Sequence, residues 1–141
     1  MEKRYNILMT NPLFQTIDCI ELPVPDLEAA LRFYRDQLGH SLVWRTDTSA
    51  GLRMAVDDGT EIVLQTERPE RNIDIKVEDA PAAAHAFEQA GGTILVQPFE
   101  IQIGRAAVVR DPWGNTFVLL DISKGLLRTD EEGRIIGNQQ P

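Results

Sequence analysis

The sequence predicts an α+β fold made of two βαβββ modules, and three observations predict it. The first is an internal repeat: with a shift of 53, Leu22 meets Ile75, Val24 meets Val77, Asp26 meets Asp79, and Ala29–Ala30 meet Ala82–Ala83. The second is a further repeated block in the same order. "DGTEIVLQT" (58–66) resembles "WGNTFVLLD" (113–121), with Gly59 on Gly114 and Val63 on Val118. The third is a change of hydrophobic period within each copy, from two residues to helical spacing and back to short strand-like runs. These bound an N-terminal extension at 1–15, a first module at 16–67, a second at 68–123, and a C-terminal tail or hairpin at 124–141.

Each element follows from its residues. Alternation over 17–24 makes a strand with Ile20, Leu22 and Val24 on one face and Cys19 and Glu21 on the other. Asp26 caps a helix running to about Leu38, with Leu27, Leu31, Tyr34 and Leu38 at helical spacing, and Gly39 ends it. Strands near 41–47, 51–57 and 60–66 follow, separated by turn residues such as Asp57-Asp58-Gly59. The second copy gives a strand at 72–78, a helix from Asp79 to Ala90, and strands near 93–101, 105–110 and 115–122. Pro112, Gly114 and Asn115 form a turn before the last strand, and Asp111 caps it. In the tail, "LLRTDEEGRII" forms a hairpin around Asp130–Gly133, docked on a partner subunit or over a cavity, or else it frays.

Bulk composition excludes several function classes. No apolar run approaches the ~18–20 residues of a membrane span. The first fifteen residues break at Asn6, Thr10, Asn11 and Pro12, too soon for a secretory signal, so the expected location is cytoplasmic. A net charge of −8 argues against nucleic-acid binding, which needs a basic face; it suits a cationic ligand or serves solubility alone. The single cysteine, Cys19, excludes an internal disulfide and a cysteine-based zinc site.

Paired βαβββ modules, with "PDLEAALRFYRDQLG" in the first and "DPWGN" before the last strand, resemble the vicinal oxygen chelate superfamily over roughly residues 16–123. That group includes glyoxalase I, extradiol dioxygenases, fosfomycin-modifying enzymes and bleomycin-resistance proteins. The resemblance implies a curled mixed sheet around a central cavity and a homodimer, the modules pairing within one chain or across two. It also implies four metal-ligand positions: one seven residues before each helix-opening aspartate, at Cys19 and Asn72, and one four residues beyond each turn glycine, at Val63 and Val118. Valine has no donor atom, an amide is a poor ligand for a first-row metal, and one thiolate cannot hold an ion alone. His40 follows the first helix and His85 lies on the second, so neither completes the set. The expectation is therefore no metal and no cofactor, with Val118 facing a ligand cavity.

The expected ligand-binding residues are Cys19, Glu21, Trp44, Val63, Gln65, Asn72, Asp74, Trp113 and Val118. Glu21, Asp74 and Lys76 share the inward parity, where charge is unusual unless paired or wet; alternatively they sit at strand ends in water. Trp44 offers a flat ring or belongs to the core, and Trp113 covers the cavity mouth. Arg53 and Arg105 receive an anion or are solvated strand residues. Cys19 is a nucleophile only with a lowered pKa, which Glu21 on the same face opposes, and no catalytic residue is marked out by spacing. The function this supports is sequestration of a drug or metabolite by a metal-free binder. The alternative is a lyase, isomerase or dioxygenase of the same superfamily with unusual metal ligands or none.

Overall fold

A computed structural model describes residues 12–139. The first copy of the repeat forms β1 (Thr16–Pro23), helix α1 (Leu27–Leu31), β2 (Leu42–Arg45), β3 (Ser49–Arg53) and β4 (Glu61–Gln65). The second forms β5 (Asn72–Lys76), helix α2 (Ala80–Gln89), β6 (Thr93–Ile101), β7 (Gly104–Arg110) and β8 (Thr116–Leu120). A hairpin of β9 (Leu127–Thr129) and β10 (Ile135–Asn138) closes the described chain. Among the described residues no helix is long and apolar enough to cross a membrane.

All eight strands of the two copies lie in one mixed sheet of order β2-β3-β4-β1-β5-β8-β7-β6, open at both edges. The order reads the same from either end once each strand is exchanged for its repeat counterpart. Register makes the symmetry concrete. Ile20 pairs with Ile73, its own counterpart under the 53-residue shift, while Cys19 pairs with Asp74 and Glu21 with Asn72. Glu21 lies beside Val63 on β4, and its counterpart Asp74 lies beside Val118 on β8. The modules thus join side by side within one chain, through antiparallel β1 and β5.

Both helices cover the same sheet face, each over its own module. The Asp26 carboxylate accepts the backbone N–H groups of Glu28 and Ala29, at 3.0 and 3.4 Å, and opens α1. The helix does not keep one pitch to Leu38: beyond Leu31 it widens into a π-helical segment, Arg32–Gln37, before Gly39 ends it at φ +85°. Leu27, Ala30 and Leu31 pack on Ala50, Leu52 and Leu64. In the second module Ala80, Ala83 and Ala84 let α2 approach Ile75, Ala107, Val109 and Leu119 closely. One sequence expectation is corrected here. The strand placed at 51–57 occupies Ser49–Arg53, because Met54–Thr60 turn back toward β4 with Val56 exposed to solvent.

Asp121, at the end of β8, fastens the second module. It is fully buried. Its carboxylate accepts the N–H of Ala80 at 2.7 Å, of Arg105 at 3.0 Å and of Ser123 at 3.2 Å, plus the Ser123 hydroxyl at 2.7 Å. Gly104 is required beside it, since a Cβ there would collide with the Asp121 carboxylate and carbonyl. Burial alone would raise the Asp121 pKa, but the Ala80 N–H, the Ser123 hydroxyl and the remaining N–H donors hold it below the usual carboxylate range.

Because its folded pKa is depressed, Asp121 adds stability above about pH 4, and that contribution disappears as pH falls through the folded value. Asp121→Ala leaves several buried donors without an acceptor and is expected to cost about 3 kcal/mol at pH 7, measured by urea unfolding. Repeating the measurement toward pH 3 should narrow the gap between variant and parent.

Candidate ligand-binding site

The sheet face away from the helices is concave and roofed by the C-terminal hairpin. One end of the hairpin is tied to the β2 edge: Arg45 donates its N–H to Gly133 O at 2.8 Å, and Arg134 pairs with Asp47 at 3.1 Å. The other end is tied to the β6–β7 turn. There the Gln102 amide donates to Asn138 Oδ1 at 2.6 Å, and the Asn138 amide donates to Gln102 O at 2.9 Å. The hairpin turn is built on Asp130, whose carboxylate accepts Glu132 and Arg134 N–H, and on Gly133 at φ +84°. It spans the sheet as a strap. Beneath it lies a cavity of about 490 Å³.

Apolar side chains wall this cavity: Val43, Val63 and Leu120 from the sheet, Ile101 from the end of β6, Ile103 from the turn after it, and Leu127 and Ile135 from the strap. Its floor is acidic. Asp18, Glu21, Glu61 and Asp74 all line it, and Arg68 stands at its side, ion-paired with Glu21. A larger hollow of about 860 Å³ lies on the helix side against α2, lined by residues such as Phe14, Glu78 and Ala86. It gathers no buried polar group, so the roofed cavity is the better candidate.

Six of the nine expected residues line the roofed cavity: Cys19, Glu21, Trp44, Val63, Gln65 and Asp74. Three do not. Asn72 and Val118 lie beside Glu21 and Asp74 in the sheet but outside the strap's cover. Trp113, expected as a lid, is 83% exposed in the turn before β8, while the cavity sits at the Leu120 end of that strand. The length of β8 alone, Thr116–Leu120, puts roughly 13 Å between that turn and Leu120. Arg53 is exposed against Asp57, and Arg105 pairs with the α2 cap Asp79, so neither faces the cavity.

Gln65 lines the cavity, yet its amide serves the adjoining loop. Its Oε1 accepts Glu67 and Arg68 N–H, and its Nε2 donates to Arg68 O and Glu70 O. Trp44 donates its indole N–H to Glu61 at 2.9 Å and crosses β3 over Gly51. Two lining residues escape strand parity because each is the extra residue of a β-bulge. The register of β1 shifts between Ile17 and Cys19, turning Asp18 inward, and that of β2 shifts between Leu42 and Trp44, admitting Val43 beside Trp44. Arg68 and the strap residues were out of reach for a different reason: parity describes strands and not the loops folded over them.

Burial dominates the electrostatics of the floor. Asp74 is 7% exposed; its Oδ2 accepts the Cys19 thiol at 3.3 Å, and its Oδ1 has no donor. Burial first, then the side-chain hydrogen bond to Glu21 and the charge of that neighbour, pushes Asp74 up to about 9, so it carries a proton at neutral pH and shares it with Glu21. Burial also raises Asp18 and Glu61, against the Cys19 and Trp44 hydrogen bonds respectively. Burial and the carboxylates of Asp74 and Asp18 drive the Cys19 thiol up, which makes it an inert thiol and no nucleophile.

A family model described as the Glyoxalase/Bleomycin resistance protein/Dioxygenase superfamily matches residues 16–119, most of the chain. The chain belongs to that superfamily. No curated protein matches it. Among solved structures it resembles methylmalonyl-CoA epimerase from Mycobacterium tuberculosis, with TM-score 0.69 and 17% identity over 83% of this chain and 94% of that one. Streptomyces coelicolor methylmalonyl-CoA epimerase, in complex with 2-nitronate-propionyl-CoA, gives TM-score 0.65 and 20% identity over 78% and 99%. A superfamily member from Vibrio splendidus 12B01 gives 0.55 and 21% over 73% and 95%. At these identities the likeness is one of fold. Chemistry must be read from this chain's own residues.

For a superfamily metal, the four symmetric positions are a poor fit. Val63 and Val118 offer no donor, Asn72 offers a neutral amide, and the Cys19 thiol is held protonated. Among the described residues no three His, Cys, Asp or Glu side chains are grouped to hold an ion.

Two outcomes are expected at this site. Gly51→Ala puts a methyl group into the Trp44 ring and the Glu61 carboxylate, and should cost about 1–3 kcal/mol while altering near-ultraviolet circular dichroism. For Asp74 the folded pKa is raised, so the native state holds a proton that the unfolded chain releases. Stability therefore falls as pH rises from about 4 to about 9, at up to about 1.4 kcal/mol per pH unit. Asp74→Asn should remove that slope and be the more stable protein at pH 8, read by urea unfolding across the range.

Proposed function

We propose that this superfamily member captures an organic small molecule in the cavity between sheet and strap. One observation carries the reading: an apolar-walled space of about 490 Å³, roofed by the chain itself, with the side chains of Asp18, Glu21, Glu61 and Asp74 among its lining. Such a space suits a ligand with an apolar body and a polar head. Sequestration of a drug or metabolite needs this pocket and no metal, in keeping with the donor set at the symmetric positions. A homodimer and a cytoplasmic location belong to the same reading; sedimentation velocity tests the first.

A second reading, an enzyme working by proton transfer, is favoured by the Asp74 carboxyl. It retains a proton beside the Glu21 carboxylate on the floor of the pocket, where a bound molecule would meet it. An isomerase or lyase needs such a pair; a binder does not.

A thermal-shift screen of antibiotics and acyl metabolites, followed by mass spectrometry of each stabilising compound after incubation, tests both readings. Capture predicts a raised Tm and a ligand recovered unchanged, whereas turnover predicts a changed mass or stereochemistry. Val63→Trp, which fills the cavity from its floor, should abolish the shift and leave the unliganded Tm within a few degrees of the parent's. A shift that survives this substitution would place the ligand elsewhere.

A further inference from the structure

We propose that a second copy of this chain docks on the helix-side face of the sheet, in the valley between α1 and α2, with Phe33 of each copy seated in the hollow beside the other's α2. This rests on the homodimer reading and adds the surface that forms it.

The floor of the valley is a row of apolar side chains. Backbone register sets Leu52, Ile62, Ile20, Ile73, Phe117 and Val109 side by side across six strands. The outer two are fully buried in the cores beneath α1 and α2. At the centre Ile20 is 41% exposed and Ile73 39%, because each helix covers only its own module. One exposed isoleucine would mean little; a strip of them along the middle of a sheet marks a surface that something covers.

The valley walls differ at one pair of equivalent positions. Glu28, on one flank of α1, reaches Arg45 on the edge strand β2 at 2.7 Å, so the opposite flank, which carries Phe33, looks inward over the row. Under the 53-residue shift the counterpart of Phe33 is Ala86. Ala86 lines the hollow of about 860 Å³ beside α2, together with Ala82 and Phe14. Both positions stand level with the row. Tyr34, next to Phe33, packs on the same cluster as Ile62, and the Phe14 ring lies 6.3 Å from Phe87, next to Ala86, and 5.4 Å from Phe117. One wall thus carries a half-exposed aromatic ring, 49% accessible, where the other has a gap.

These features select a second copy as the occupant. Ile62, Ile20, Ile73 and Phe117 are paired by the repeat about the centre of the row, so a copy turned over about an axis along the strands lays isoleucine on isoleucine. The same turn sets each α1 across from the other copy's α2. Two aromatic rings then enter two hollows at once, and the contact closes at two chains. The area agrees. Leu13, Phe14, Ile17, Ile20, Phe33 and Ile73 are each 36–49% exposed. Each leaves about 80 Å² in water, roughly 500 Å² together. A stable pair buries about 800 Å² per partner, somewhat more than half of it apolar. The strap occupies the other sheet face, so the roofed cavities lie on the outer sides of the pair.

Sedimentation velocity of the full chain, from about 1 to about 100 μM, should show a species of twice 15.8 kDa. Phe33→Glu and Ala86→Trp, both at exposed positions, should each weaken association at least ~10-fold and leave the far-ultraviolet circular dichroism unchanged. Ile136→Glu, equally exposed but on the strap, should leave association unchanged. Phe33→Cys chains mixed with Ala86→Cys chains should yield a covalent dimer on mild oxidation, and neither variant alone should, since Cys19 is buried.

A dimer that keeps its affinity in both Phe33→Glu and Ala86→Trp overturns this surface and leaves the homodimer reading standing. A covalent product from either cysteine variant alone overturns the pairing of Phe33 with Ala86. Assembly that grows past two chains overturns the two-fold arrangement, because a head-to-tail contact does not close. A monomer at every concentration overturns the surface and the homodimer reading together, and assigns the valley to some other partner.

Discussion

The pairing of β1 with β5 about Ile20 and Ile73 is the constraint on which the rest of the architecture depends. It is the one place where the two copies touch strand to strand, and it sets a residue against its own counterpart. Everything outward follows by repetition: β4 beside β1, β8 beside β5, and a helix over each half. Each module keeps its own small core, so no single core spans the molecule. Continuity between halves is carried by backbone hydrogen bonds and by side chains on the concave face. A slip of one residue in that ladder would turn Cys19, Glu21 and Asp74 from the cavity toward the helices.

Function begins where the symmetry is broken. The positions beside Val63 and Val118 are equivalent by repeat, yet only the first is enclosed. Trp44, the bulge residues Asp18 and Val43, and the strap all belong to one side or cross it unevenly. The strap is tied at both sheet edges by short hydrogen bonds, which also covers the otherwise open edge at β2. A symmetric scaffold has in this way been given one roofed pocket with acidic groups in its lining.

Two aspartates show what placement does to the same side chain. Asp121 and Asp74 are both buried and both lie on the second module's strands or their ends. Asp121 meets three N–H groups and a hydroxyl, so it remains ionised and holds β7, β8 and α2 together. Asp74 meets a thiol on one oxygen and a carboxylate as neighbour, so it is neutral. The first is a fastening that gains from its charge. The second gives up charge in the resting protein, and a group in that condition responds to whatever enters the cavity.

Much of this was legible in the sequence. The repeat, the helix caps at Asp26 and Asp79, and strand parity were enough to give two βαβββ units, the superfamily, and six residues of the cavity lining. They also showed that donor atoms are missing at Val63 and Val118, because a side chain's chemistry does not depend on where it is placed. The tertiary structure alone decided which part of the concave face became a pocket. A bulge at Asp18 or Val43 leaves no mark on a hydrophobic pattern, and Trp113 sat at the wrong end of its strand for reasons no turn motif records. Arg68, Leu127 and Ile135 reach the cavity through loops and a strap whose course is fixed by contacts distant in sequence. Identity and period are local properties of a chain; enclosure is a property of surfaces that meet only after folding.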